Sequence, residues 1–266
     1  MHTYWHIFSL GVQSTLSYRV NFFVRALFNL VPLVAIISMW RAIYAGKSGD
    51  IGGYSLAAMI SYYVLVTIVE ATTAVTEDDW QIAAEIKDGQ IGQFLTRPID
   101  YLSYRFCLFV SGRAVYTLAA FLPVTLFVLW HRESLLPPHD TVAFACFCTS
   151  LALGAVLQFL LSYLVAMLAF WVLEISTFVF VLMALERLAS GQMFPLDLLP
   201  RWLAQALMWT PFPYGTFFPV SVYMGKVTGA ALAQGLFLQC FWVATVYILA
   251  RQVWRHGLKS YTVVGG

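Results

Sequence analysis

TVAFACFCTSLALGAVLQFLLSYLVAMLAFWVLEISTFVFVLMALERL, Thr141 to Leu188, is almost unbroken hydrocarbon. One helix needs about 20 predominantly apolar residues to cross the core of a bilayer. This run is about twice that long, so it reads as two membrane-spanning helices joined by a tight turn near Trp171 to Glu174. Helices are the reading because lipid tolerates only elements that satisfy their own backbone, and barrel strands would show short alternating segments instead.

Outward from this run the same signal repeats in the uncharged stretches Ile51 to Val69, Ala114 to His131 and Val227 to Ala250. The predicted spans are therefore Val20–Tyr44, Tyr54–Val75, Phe106–Trp130, the two helices just described, and Ala230–Ala250, six in all. The first holds Pro32, with Arg25 and Arg41 near its ends, where long side chains snorkel to the headgroups. HRESLLPPHD, His131 to Asp140, is a short loop with Pro137 and Pro138 as breakers. The composition agrees: of 266 residues, 61% are hydrophobic and 11% charged, with a mean hydropathy of +0.77, whereas soluble domains run to about 25% charged residues.

Residues 1–19 are too polar to span, yet Trp5, Phe8, Val12 and Leu16 recur at helical spacing opposite His6, Gln13, Ser14 and Ser17, which predicts a helix lying in the membrane interface. No cleavable signal peptide is read at the start, and the N-terminus is expected in the cytoplasm. Six spans then return both termini to one side. Nine of the 15 Lys and Arg (Arg19, Arg25, Lys87, Arg97, Arg105, Arg113, Arg251, Arg255, Lys259) fall on that side, in keeping with the positive-inside rule.

Two segments depart from the pattern. Residues 77–105 form an island of charge and glycine containing EIKDGQIGQFLTRPIDYLSYR. Thr76 with Asp79 makes a capping box, the acidic run Glu77–Asp79 complements a helix dipole, and Lys87 with Gly89 supplies a stop, so a short cytoplasmic helix is predicted over about 77–88 with Trp80 and Ala84 on one face. After it, Ile91, Phe94 and Leu95 are expected to be exposed beside Arg97 and Pro98, a composition suited to a knob in a partner's groove, with packing on the ends of the neighbouring spans as the alternative. Residues 190–228, punctuated by Pro195, Pro200, Pro211, Pro213 and Pro219, cannot make one straight span and are predicted to be a broken or re-entrant element on the outer face.

Several chemistries are set aside. A formal charge of +2 with scattered basic residues offers no nucleic-acid footprint. Cys107, Cys146, Cys148 and Cys240 show no zinc or disulfide spacing, and no metal site or bound cofactor is expected. Gly46-Lys47-Ser48 resembles the end of a P-loop only superficially, since Arg41 stands where the first glycine belongs. Glu70, Arg113, Glu186 and Arg187 are ionisable residues within or near spans; they are expected to snorkel or pair, and they form no chain of acids suited to a proton relay.

Three stretches in order, WRAIYAGKSGDIGGYSLAAMISYYVL (40–65), DGQIGQFLTRPIDYLSYR (88–105) and SGQMFPLDLLPRWLAQALMWTPFPYGTFFPVSVYMGK (190–226), resemble the ABC-2 type permeases, the integral membrane subunits of bacterial ATP-binding cassette transporters. The resemblance covers nearly the whole chain. It implies an all-α membrane protein, a single domain over 1–266, with six transmembrane helices, an N-terminal interfacial helix, a cytoplasmic coupling helix and an extracellular re-entrant pair. It also implies a non-enzymatic subunit of the bacterial inner membrane, working with a separate ATP-binding subunit that holds ATP and Mg and with a second permease, identical or homologous, to export a solute or lipid-like substrate. The alternatives from other classes are a stand-alone secondary carrier and a non-transporting anchor for an ATPase. Carried over by position, the coupling role falls on Glu85, Asp88, Gly89, Phe94, Leu95, Arg97 and Pro98, and an outer gate on Met193, Phe194, Pro195, Leu199, Pro200, Pro211 and Phe212.

Overall fold

The structure is a computed structural model that describes residues 2–17, 24, 27, 28, 30–46, 49–75, 78–96, 98–130, 135–138 and 140–260. Among these the regular structure is helical apart from an isolated bridge between Ile51 and Tyr54. In chain order the helices are α1 (His2–Ser17), α2 (Leu30–Ala45), α3 (Leu56–Thr73), α4 (Asp78–Lys87), α5 (Gly92–Leu95), α6 (Tyr101–Trp130), α7 (Thr141–Ala166), α8 (Ser176–Ala189), α9 (Arg201–Met208), α10 (Phe217–Tyr223) and α11 (Gly229–Ser260). Tighter 3-10 turns occupy Met167–Phe170, Leu196–Leu198 and Phe212–Tyr214.

Among the described residues four helical stretches are long and apolar enough to cross a membrane: Leu56–Thr73, Tyr101–Trp130, Thr141–Phe170 and Gly229–Ser260, with Leu30–Ala45 as a shorter apolar helix. The long apolar run breaks where expected, since α7 and its 3-10 extension end at Phe170 and α8 starts at Ser176, but α8, with 14 residues, is not among the helices long and apolar enough to cross a membrane. The beginning of the first predicted span, Thr76, Glu77 and Arg97 lie outside the described residues.

α7 is the axis of the molecule. It packs against α3, α4, α10 and α11, and its buried residues Leu157, Phe159, Leu160, Tyr163 and Ala166 form the middle of one continuous core. Apolar side chains gain little from facing a neighbour instead of lipid, so close packing and satisfied polar groups must fix such an arrangement. Gln239 of α11 shows how. It is wholly buried, its amide nitrogen donates to the carbonyls of Ser150 (2.8 Å) and Tyr214 (2.9 Å), and its oxygen accepts from the Ser150 hydroxyl (2.9 Å). One side chain thereby ties α7, α11 and the chain before α10 together.

α1 lies along α6, so closely at Gly11 that a Cβ there would stand 2.2 Å from the Ser111 hydroxyl. Trp5 and Leu16 remain exposed. The predicted apolar stripe is thus divided, with Phe8 and Val12 half-buried.

Candidate functional site

Helix α4 buries one face, Asp79, Ile82, Ala83 and Ile86, against α7 and residues 167–170. The i, i+3, i+4, i+7 spacing makes this face, and each isoleucine removed from water contributes about 1.5–3 kcal/mol. Trp80 and Ala84 lie on the exposed side, as their spacing predicts. The other member of the expected capping box, Thr76, lies outside the described residues, and the Asp79 carboxylate is buried. It accepts from the neighbouring Trp80 N–H at 2.9 Å, and burial raises its pKa despite that bond. The helix ends at Gly89, whose φ of +75° suits glycine.

The residues expected to form an exposed knob divide sharply. Ile91 is 0% exposed and Phe94 is half-buried, with its ring 5.1 Å from Tyr101 and 4.8 Å from Tyr104. Their exposure is corrected: apolar side chains next to the ends of three helices bury there at little cost. Glu85 is also turned inward. Its Oε2 accepts from the Tyr101 hydroxyl at 2.6 Å and stands 2.6 Å from Nη2 of Arg105, a charge contact without hydrogen-bond alignment. Arg105 is 2% exposed, and its remaining nitrogens reach the Tyr101 oxygen (3.2 Å) and Gln81 (3.3 Å). Asp88 and Pro98 are on the surface and Gly89 is half-buried. The side chain of Leu95 and all of Arg97 lie outside the described residues.

Sequence reasoning missed the participants that complete this hub: Gln81, Tyr101, Arg105, Asp100, Arg251 and Trp254. Asp100 begins α6 by accepting from the Ser103 amide (2.9 Å) and hydroxyl (2.7 Å), and its other oxygen meets Arg251 of α11. Burial raises the Asp100 pKa, but Arg251 and Ser103 outweigh it and hold the carboxyl below its ordinary value. Trp254 stacks on Tyr101 with centroids 4.8 Å apart and planes 9° apart. The one signal in the sequence was the spacing of Tyr101 and Arg105, four apart on one helical face.

At the opposite end, the predicted gate residues sit on the broken segment after α8: Met193, Phe194 and Pro195 in the first linker, Leu199 and Pro200 before α9, and Pro211 and Phe212 at the following 3-10 turn. Met193 and Pro200 are exposed, Pro195 is buried and the other four are half-buried. What fixes the linker is a set of tyrosines. Tyr62 and Tyr63 of α3 donate to the carbonyls of Gly191 (2.6 Å) and Met193 (2.7 Å). Tyr54 donates to Asp197 at 2.8 Å, and Lys226 lies 3.1 Å from the same oxygen and 3.1 Å above the Tyr54 ring. Burial, with the Asp197 carboxylate, raises the Tyr54 pKa far above its ordinary value, so the hydroxyl stays a donor.

Between the two ends lies a cavity of about 610 Å³. Its wall includes Thr73 to Val75 at the end of α3 that leads into α4, and Gln192 and Met193 of the linker. Glu70 (α3), Arg113 (α6), Gln158 (α7), Glu186 and Arg187 (α8) all line it. These ionisable residues were expected to snorkel or pair, and the structure brings them to one wall. Arg187 is the neighbouring cation of Glu70, the Gln158 amide stands beside Glu186, and the Arg113 guanidinium lies 5.0 Å from the Tyr116 ring centroid. No group of His, Cys, Asp and Glu among the described residues has the clustering of a metal site.

A search of curated proteins finds no significant match. A protein-family model described as ABC-2 family transporter protein matches residues 30–265, which takes in the cavity, the hub around Tyr101 and the tyrosine-held linker. The chain belongs to the ABC-2 family of transporter proteins.

Proposed function

We propose that the chain is the permease subunit of an ATP-driven exporter, inserted in the bacterial inner membrane with six spans and both termini in the cytoplasm. A separate ATP-binding subunit, carrying ATP and Mg, docks on the cytoplasmic hub, and a second permease completes the assembly. Closure of the ATP-binding subunits on nucleotide favours one arrangement of the spans over another, a population shift driven by differential affinity.

The observation that carries this reading is the cavity, which borders both the chain segment entering α4 and the linker carrying Met193. A path for cargo needs such a polar space between a cytoplasmic input and an outer closure. Within the hub the exposed Asp88, Gln90 and Pro98 offer a docking surface, with Gly89 setting the turn, and Leu95 and Arg97 keep the coupling role that the resemblance gives them. Glu85 and Phe94 act from behind it by positioning. The α4 surface passes force to α7, on which it packs. Met193 to Pro200, with Pro211 and Phe212, closes the outer end.

The test is purification of the tagged full-length chain from its host in mild detergent, followed by mass spectrometry. An ATP-binding subunit in near-equal amount, lost on Arg97→Glu while the permease still inserts, is the expected result. A chain that purifies alone would overturn the docking role and favour a stand-alone carrier. An ATPase that stays bound and active while no cargo moves would make the chain an anchor.

A further inference from the structure

We infer that α9 is a membrane anchor: Trp202 and Trp209 hold it in the headgroup layer of the bilayer, where its exposed face meets the phosphates and glycerol esters of the surrounding lipids. The inference goes beyond the exporter reading and requires only that the chain spans a membrane, as its family and its apolar helices show.

The segment between α8 and α11 holds two short helices with opposite surroundings. In α10 Phe217 to Val222 are buried without a break, and the helix packs on α7 and α3. In α9 no residue is buried. Its Leu203, Ala204, Leu207 and Met208 are half-buried on the protein side, where Leu207 and Met208 pack on the core and the Met208 carbonyl accepts from the Tyr214 hydroxyl at 3.0 Å. The other side carries Trp202, 70% exposed, and Trp209, 73% exposed, with Gln205 and Ala206 between them. Seven residues make about two turns, so the indoles project from one line of the helix about 10 Å apart.

Residue type, place and area decide what covers that line. Along its length α6 exposes Leu118, Phe121, Leu122 and Leu126, and its last residue is the exposed Trp130. Inside the spanning stretches the tryptophans, Trp242 and Trp254, are half-buried. At the α4 end Trp171 is exposed just past residues 167–170. This is the division a bilayer imposes, with hydrocarbon side chains against the tails and indoles at the polar boundary, where the ring stays apolar and its N–H finds an acceptor. The chain after Trp130 returns to α3, where the Leu136 amide donates to the Ser61 hydroxyl at 2.8 Å, next to the Tyr62 that holds the linker. Trp130, Trp202 and Trp209 thus belong to one end of the molecule. Arg201, exposed beside Trp202, brings a cation to the lipid phosphates, whereas Asp197 and Lys226 of the same segment meet each other. A second copy of the chain fits less well. The two exposed indoles offer about 300 Å² between them, against about 800 Å² per partner in a stable interface, and Arg201, Gln205 and Ala206 add no apolar bulk.

The experiment uses the full-length chain in phosphatidylcholine vesicles, with a fluorescent amino acid that bromine and iodide quench on contact placed at position 205, between the two tryptophans. Lipids brominated near the headgroup, lipids brominated near the chain ends, and iodide on both sides of the membrane report its depth. The expected result is quenching about threefold stronger by the shallow bromine than by the deep one, with iodide weaker than the shallow bromine. The same probe at position 118, which is 76% exposed along α6, reads the two lipids in the reverse order. Trp202→Ala with Trp209→Ala releases the helix and makes iodide the strongest quencher at position 205, and Trp202→Tyr with Trp209→Tyr keeps the original order. Quenching by iodide alone would mean a face turned to water, stronger quenching by the deep bromine a helix that dips into the hydrocarbon, and quenching by none of the three a face covered by a second copy of the chain. Each of these overturns the proposal, as does a depth profile indifferent to the alanine pair. The wild-type profile decides even if the alanine pair fails to insert. No ATP-binding subunit takes part, so neither result bears on the co-purification test.

Discussion

The two ends of the molecule are fastened in different ways. At the α4 end, side chains hold side chains: Glu85, Tyr101, Arg105 and Gln81 form one network, Asp100 meets Arg251, and Tyr101 stacks on Trp254. At the opposite end, hydroxyls hold a loop by its main chain, through Tyr62 to Gly191 and Tyr63 to Met193. A buried charged network fails as a unit, because removing one member leaves the others uncompensated. The neutral hydrogen bonds at Gly191 and Met193 can be released one at a time, at about 0.5–1.5 kcal/mol net each, and the partly exposed Lys226–Asp197 pair further along the linker adds at most about 1 kcal/mol. The first design suits a part that must move as a rigid body, the second a part that must open.

The sharpest way to break this contrast is Arg105→Leu. It strands Glu85 in a half-buried site and is expected to cost about 3–5 kcal/mol in thermal unfolding of the detergent-purified chain. A loss below about 1 kcal/mol would mean that the hub is an ordinary surface pair. Next comes Gly191→Ala. The backbone there has φ +84°, and a Cβ would stand 2.7 Å from the Tyr62 hydroxyl and 2.9 Å from the Phe217 Cβ. The expected cost is about 1–3 kcal/mol, with the linker displaced rather than the spans. Tyr62→Phe and Tyr63→Phe should each cost about 1 kcal/mol and raise thiol labelling of a cysteine placed at Met193. Unchanged labelling would count against the latch.

The smallest expected effect is that of pH on Asp100. Its folded pKa is lowered, so its contribution is fully present above the unfolded value near about 3.9 and is lost as pH falls through the lower folded value. Both partners are about a third exposed, with side-chain accessibilities of 31% and 32%, so the pair contributes at most about 1 kcal/mol. Melting temperatures of the wild type and Asp100→Asn should differ at neutral pH and converge in acid.

The apolar spans were legible because hydropathy over about 20 residues is a local signal that tertiary contacts cannot reverse. The short helix α4 and the broken segment before α11 were legible for a similar reason, since Gly89 and the prolines limit the backbone locally. What could not be read was which way each helix turns. Nothing in the hydropathy of α3, α6 and α8 says that Glu70, Arg113 and Glu186 share one cavity, because lipid-facing and helix-facing positions are almost equally apolar. The knob was misjudged by the same logic: Ile91 and Phe94 look exposed in a loop, yet Ile91 is buried and Phe94 packs on Tyr101 and Tyr104 of α6. Asp100 and Arg251 are 151 residues apart, and no spacing rule reaches that far.

Helix α11 runs without a proline through 32 residues, about 48 Å at 1.5 Å per residue, against a hydrocarbon core of about 30 Å. Its inner end is clasped at Arg251, Trp254 and Gly257, where Phe170 fills the space a Cβ would take. Its outer half is clasped at Gly235, against Phe218, and at Gln239, which holds the Tyr214 carbonyl. It is therefore a beam with a joint at each end. A tilt of about 5° imposed from the cytoplasm would carry its far tip about 4 Å, more than the length of a hydrogen bond. In the proposed ATP-driven assembly the tyrosine-held linker need not sense nucleotide at all; it has only to be pulled by a beam that does not bend.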